Sequence, residues 1–167
     1  MSAFDDVLAA NAQYAAQFED ERLEPVARRG LAILTCMDSR IDPLRMVGMD
    51  RGDVKILRNA GARVTDDVLR TLVLAAHVLG VTRVLVVPHT HCRMAEQTDD
   101  ELHDTILVRS GVDTRSLEFG TEKDQEGTLR RDLQRIRSYP LLPDDLVVGG
   151  AIYDVRTGAL TPLDLGD

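Results

Sequence analysis

Tryptophan is missing from this 167-residue chain, and aromatic residues make up only 4% of it. A core built around large rings is excluded, so packing has to rest on aliphatic side chains. Cysteine is almost missing too, with only Cys36 and Cys92 present, which excludes a scaffold stapled by several disulfides. No apolar run reaches the roughly 18 residues that a membrane-spanning helix needs. The start, Met1-Ser2-Ala3-Phe4-Asp5-Asp6, is acidic where a secretory signal would be basic. Positive charge is in deficit, with 20 Lys and Arg against 28 Asp and Glu and a net charge of −8. Such a chain repels nucleic-acid backbones and anionic membranes, so neither is expected as a partner. A cytoplasmic location is the expectation, and in that reducing compartment two cysteines point to metal binding or catalysis rather than to a disulfide.

What is present reads as an ordinary globular composition, 44% hydrophobic and 29% charged. The length suits one domain spanning 1–167 that buries about 70% of its unfolded surface. Near its start, Phe4, Val7, Leu8, Tyr14, Ala15 and Phe18 recur at helical spacing, which predicts an amphipathic helix over about 3–18. That helix packs either on its own domain or on a partner subunit.

From residue 31 onward, strand and helix patterns alternate. Buried strands are predicted at 31–36, 54–58, 83–87 and 147–153, with a short final strand around Ala159 and Leu160. A short helix is expected over 42–48 with Pro43 in its first turn. A longer one is capped by Thr65 and ended by Gly80, and another runs from about Glu126 to Arg137. The acidic segment around Asp99-Asp100-Glu101 is expected to form a lid or surface helix, and 109–127 a long loop. Near-continuous apolar strands separated by helices mean a mainly parallel, four-stranded α/β sheet with flanking helices and a short C-terminal edge strand. Ligands of such sheets bind beyond the carboxyl ends of the strands, where Cys36 and His89 both fall.

His89-Thr90-His91-Cys92 lets one turn deliver two metal ligands, and Cys36 brings a third from another strand end. Two thiolates and an imidazole are three of the four groups that tetrahedral Zn²⁺ takes. Asp38 and Arg40 share a face with Cys36 in an extended Cys36-Met37-Asp38-Ser39-Arg40. Asp38 then either fills the fourth zinc position itself or is held by Arg40 in a bidentate pair that leaves the position to water. His91 should point away from the ligands, His77 reads as structural, and Arg58 is expected to pair with a carboxylate. Gly61 is either a close-approach or a plain turn glycine. For His103 the candidate role is a proton shuttle.

Taken in order, Cys-x-Asp-Ser-Arg from 36, Arg58-Asn59-Ala60-Gly61 and His89-x-x-Cys92 resemble the β-class carbonic anhydrases, in their compact bacterial branch. The resemblance runs from about Leu31 to Cys92 and more weakly through the first helix and the strand at 147–153. It implies zinc held by Cys36, His89 and Cys92, and reversible hydration of carbon dioxide to bicarbonate and a proton by a zinc-bound hydroxide. It further implies a catalytic dyad of Asp38 and Arg40 that gates the fourth zinc position, and a homodimer or larger assembly with the first helix packed on a neighbour. Because Asp38 and hydroxide exclude each other on zinc, activity is expected to rise with pH. Arg93 departs from the pattern, because relatives mostly place Gly after the His-x-x-Cys pair. The same site also suits hydrolysis of carbonyl sulfide or carbon disulfide, and a permanently closed site would make a non-catalytic zinc or bicarbonate-binding module.

Overall fold

The computed structural model describes residues 2–164. Five strands form one sheet in the order β2-β1-β3-β4-β5: β1 (Leu31–Cys36), β2 (Val54–Asn59), β3 (Arg83–Val87), β4 (Val147–Tyr153) and β5 (Leu160–Pro162). The first four are parallel, and β5 pairs antiparallel with β4, as the sequence leads one to expect. Parallel neighbours need helical crossovers, and these cover the sheet faces. All six residues of β1 are buried because this strand lies between β2 and β3 with apolar layers on both sides. Ala32 and Leu34 face a core shared with α3 (Asp66–Val78) and α6 (Gln125–Arg137), while Leu31 and Ile33 pack towards Met46, Val47 and Met49.

Local chemistry sets the element ends. Thr65 accepts a hydrogen bond from the Val68 N–H and starts α3, and Gly80, at a φ of 71°, lets the chain leave it. Pro43 opens α2 (Pro43–Met46), capped by Asp42. The acidic segment after residue 98 is the helix α5 (Asp99–Ser110), begun by a reciprocal Thr98–Glu101 capping box. A loop does follow, but a shorter one than expected, because helix reaches to Ser110 and resumes at Gln125.

The first helix, α1 (Asp5–Ala16), buries none of its residues. Phe4, Val7, Leu8, Tyr14 and Phe18 all stand exposed. A latch at its end ties it to the body: Arg51 donates to the Tyr14 hydroxyl at 3.1 Å, pairs with Glu21 and lies over the Phe18 ring.

After β1 the chain adds β2 on one side, then crosses to place β3 on the other. The strand order therefore reverses between β1 and β3, and a crevice opens beyond their carboxyl ends. That crevice is where the polar side chains of interest collect.

Candidate metal centre

Cys36 is the last residue of β1, and His89 lies two positions beyond the end of β3. Parallel register puts both at the same edge of the sheet. His91 turns the chain between His89 and Cys92 with a left-handed φ of 54°, and the loop is pinned to β4 by a bond from the Thr90 N–H to the Tyr153 carbonyl. Cys92 then leads into the one-turn helix α4 (Arg93–Glu96). The result is a buried trio, Cys36, His89 and Cys92, whose ligand atoms all lie within 4.8 Å of one another.

The donor chemistry suits a metal ion. The His89 side chain is fully buried, and its Nδ1 lies 2.9 Å from the Thr90 carbonyl. A carbonyl only accepts, so Nδ1 carries the proton and Nε2 turns towards the sulfurs. Nε2 is the one buried side-chain polar atom without a hydrogen-bond partner among the described residues. Leaving a buried polar atom unpaired costs about 1–3 kcal/mol, and a bound cation removes that cost.

Burial opposes charge on the ring, but the Cys36 sulfur, the Thr90 carbonyl and the Asp38 carboxylate outweigh it and raise the His89 pKa. The pocket favours positive charge at Nε2, whether it arrives as a proton or as a metal ion. The two sulfurs stand 3.9 Å apart. A hydrogen bond from the Cys92 thiol, against the effect of burial, pulls Cys36 down to about 4, and the His89 ring and the Gly61 N–H add to this. Cys92 is pushed up by its hydrogen bond to Cys36 and then by burial. The pair favours the thiolate at Cys36 over Cys92, and a bound metal ion would favour it at both.

Asp38 stands beside the trio, with its Oδ2 3.7 Å from His89 Nε2. Arg40 holds it with two parallel bonds, Nε to Oδ1 at 2.9 Å and a terminal nitrogen to Oδ2 at 2.7 Å. These bonds hold the carboxyl well below the usual carboxylate range. The same guanidinium donates to the His91 carbonyl at 3.0 Å. Of the two arrangements weighed from the sequence, the bidentate pair is the one seen here.

Other sequence expectations divide. Arg58 meets no carboxylate among the described residues: it donates to the carbonyls of Cys36 at 2.9 Å and Asp38 at 2.6 Å, strapping down the strand end that carries Cys36. The correction has its cause in the sheet register: Arg58 lies on β2 beside Thr35 at the end of β1, within reach of the turn's carbonyls, and the Asp38 carbonyl accepts from the Ile41 N–H at 3.1 Å as well. Gly61 is a close-approach glycine. Its φ is 78°, its N–H points at Cys36 Sγ at 3.4 Å, and a Cβ there would lie 3.2 Å from Met94. His91 is exposed and outside the trio, as expected. His77 bonds the Leu141 carbonyl. His103, the candidate shuttle, is buried instead, bonded to Thr114 and packed against Phe119. Gln125 escaped notice in the sequence: it donates to the His89 carbonyl at 2.8 Å from the start of α6, 36 positions away.

Fold and site together define an α/β protein with a cysteine–histidine cluster fit to hold a metal at the switch point of a mainly parallel sheet. The chain belongs to the β-carbonic anhydrases: the carbonic anhydrase family profile matches residues 31–160. It is 36% identical over 161 residues to β-carbonic anhydrase 1 of Mycobacterium tuberculosis, covering 96% of this chain and 97% of that protein. The crystal structure of a carbonic anhydrase from Streptococcus mutans superposes with a TM-score of 0.91 at 37% identity, covering 98% and 99% of the two chains. A carbon disulfide hydrolase of Acidithiobacillus thiooxidans is 31% identical over 156 residues, 80% of this chain and 77% of that one. The protein is therefore an enzyme of a family of metal-dependent lyases.

Proposed function

We propose that the enzyme hydrates carbon dioxide reversibly to bicarbonate and a proton, with zinc held by Cys36, His89 and Cys92. The observation that carries this reading is the orphaned, fully buried Nε2 of His89 between two cysteine sulfurs, next to a carboxylate held aside by arginine. Zinc supplies Lewis acidity when bound, making water a competent nucleophile near neutral pH. The chain's own residues do the rest. Arg40 holds Asp38 in one orientation through the bidentate pair, which would leave a metal on the trio accessible to water. Asp38, fixed beside the trio, accepts a hydrogen bond from the attacking water and aims its lone pair at the substrate carbon. Arg58 and Gly61 keep the Cys36 end of the site in place. The proton released leaves through the mouth, a cleft of about 550 Å³ lined by Asp38, Ser39, Arg40, Ala60, Arg93 and Met94, among others.

Relatedness to a carbon disulfide hydrolase supports a second reading, in which the same residues attack a sulfur analogue. Stopped-flow assays with carbon dioxide and carbon disulfide distinguish the two. Carbon dioxide turnover should dominate, rise with pH, and fall roughly a hundredfold or more in Asp38→Ala, with stoichiometric zinc retained. Turnover of carbon disulfide alone would reassign the substrate, and a protein without zinc would end both readings.

The exposed apolar face of α1 suits burial on a second copy, so we read residues 1–167 as one domain of a homodimer or larger homo-oligomer. Both cysteines are free, which fits the reducing cytoplasm. No helix among the described residues is long and apolar enough to cross a membrane.

A further inference from the structure

Charge is unevenly balanced at the mouth of the metal centre. Beyond the cysteines of the trio, three charged side chains line it: Asp38, Arg40 and Arg93. Asp38 and Arg40 neutralise each other through their bidentate pair. Arg93, the first residue of α4 and next to Cys92, has no such counter-ion. Among the described residues its guanidinium makes one side-chain hydrogen bond, at 3.3 Å to Oε1 of Gln97, a neutral amide. Glu96 on the same turn is directed elsewhere, 3.8 Å from His91 Nδ1.

The geometry points to Arg93 as an anion-attracting residue that sets the enzyme's affinity for bicarbonate and for competing monovalent anions. This rests on the carbonic anhydrase reading of the site. Carbon dioxide is neutral and indifferent to the field of the protein, but bicarbonate is not. A chain of net charge −8 repels it, and a guanidinium at the mouth with no carboxylate partner opposes that repulsion locally.

Two measurements test the assignment. Nitrate, a planar monovalent probe, is titrated into the zinc-loaded protein and followed by the NMR shift of the Arg93 Nε–H and of nearby amides. Independently, the inhibition constant of nitrate and the KM for bicarbonate dehydration are measured for wild type, Arg93→Gln and Arg93→Lys. Forward and reverse kcat/KM are tied by the reaction equilibrium, so the signature is sought in these anion constants.

Both should rise together, roughly threefold to tenfold, in Arg93→Gln at low ionic strength. The difference should shrink as salt shortens the Debye length, and Arg93→Lys should recover most of it. Equal constants in wild type and Arg93→Gln, or a loss that salt leaves intact, overturns the proposal. Absence of carbon dioxide turnover in wild type would sink the functional reading instead, while the nitrate titration would still report on Arg93.

Discussion

Arg58 shows how a residue can matter to a metal site without touching the metal. Its guanidinium spans the carbonyls of Cys36 and Asp38, joining the residue that offers a sulfur to the one that offers a carboxylate. Partners of this kind typically tune metal affinity by about 10–100-fold. Arg58→Ala should therefore weaken zinc binding by at least about tenfold, read by competition with a chromophoric chelator, while the circular dichroism spectrum stays native. Arg58→Lys should recover little, since a single ammonium cannot fork to two carbonyls. Unchanged affinity in Arg58→Ala would mean that the bond from the Met37 N–H to the Asn59 carbonyl suffices to hold the turn. The ligand trio is legible in the sequence because only two cysteines exist and both follow apolar strands. Arg58's true partners are not, since an arginine reveals its charge but not which oxygen it meets.

Among the elements, α5 and the loop after it make a unit that spacing alone does not disclose. Asp99, in the first turn of α5, accepts bonds from the N–H groups of Phe119, Gly120 and Thr121 and from the Thr121 hydroxyl. These bonds, led by the hydroxyl, pull its pKa down to about 2. A depressed folded-state pKa means that the ionised form stabilises the fold. The contribution is complete above the ordinary carboxylate value near 4 and is lost as pH falls through about 2. The difference in Tm between wild type and Asp99→Asn should thus be constant from neutral pH down to about 5 and narrow below about 4. A difference that widens on acidification would contradict this. Strands β1 to β4 were readable because buried parallel strands are nearly continuous apolar runs, and α3 because Thr65 and Gly80 mark its ends. The 111–124 loop lacks such marks, since its anchor lies about twenty positions back. Asp132, buried and paired with Arg63 across 69 positions, is hidden for the same reason.

At the scale of the whole molecule, α1 stands apart. Its apolar spacing is plain in the sequence, but a single chain cannot say which copy it packs on, and within one chain none of its residues is buried. We expect Leu8→Glu, or removal of residues 2–18, to yield a species of about half the wild-type mass by light scattering, with activity reduced. Retention of the wild-type mass would show that the copies meet elsewhere.

One consequence concerns dilution. Twelve residues are at the limit of what stays helical alone in water, and the Arg51 latch grips α1 only at its end. If the proposed assembly forms through α1, the helix this segment keeps is governed by mass action: far-ultraviolet ellipticity should fall as the enzyme is diluted below the dissociation constant of the assembly, and Tm should climb with concentration. In such an assembly the length of an ordered helix would become a gauge of how crowded the copies are.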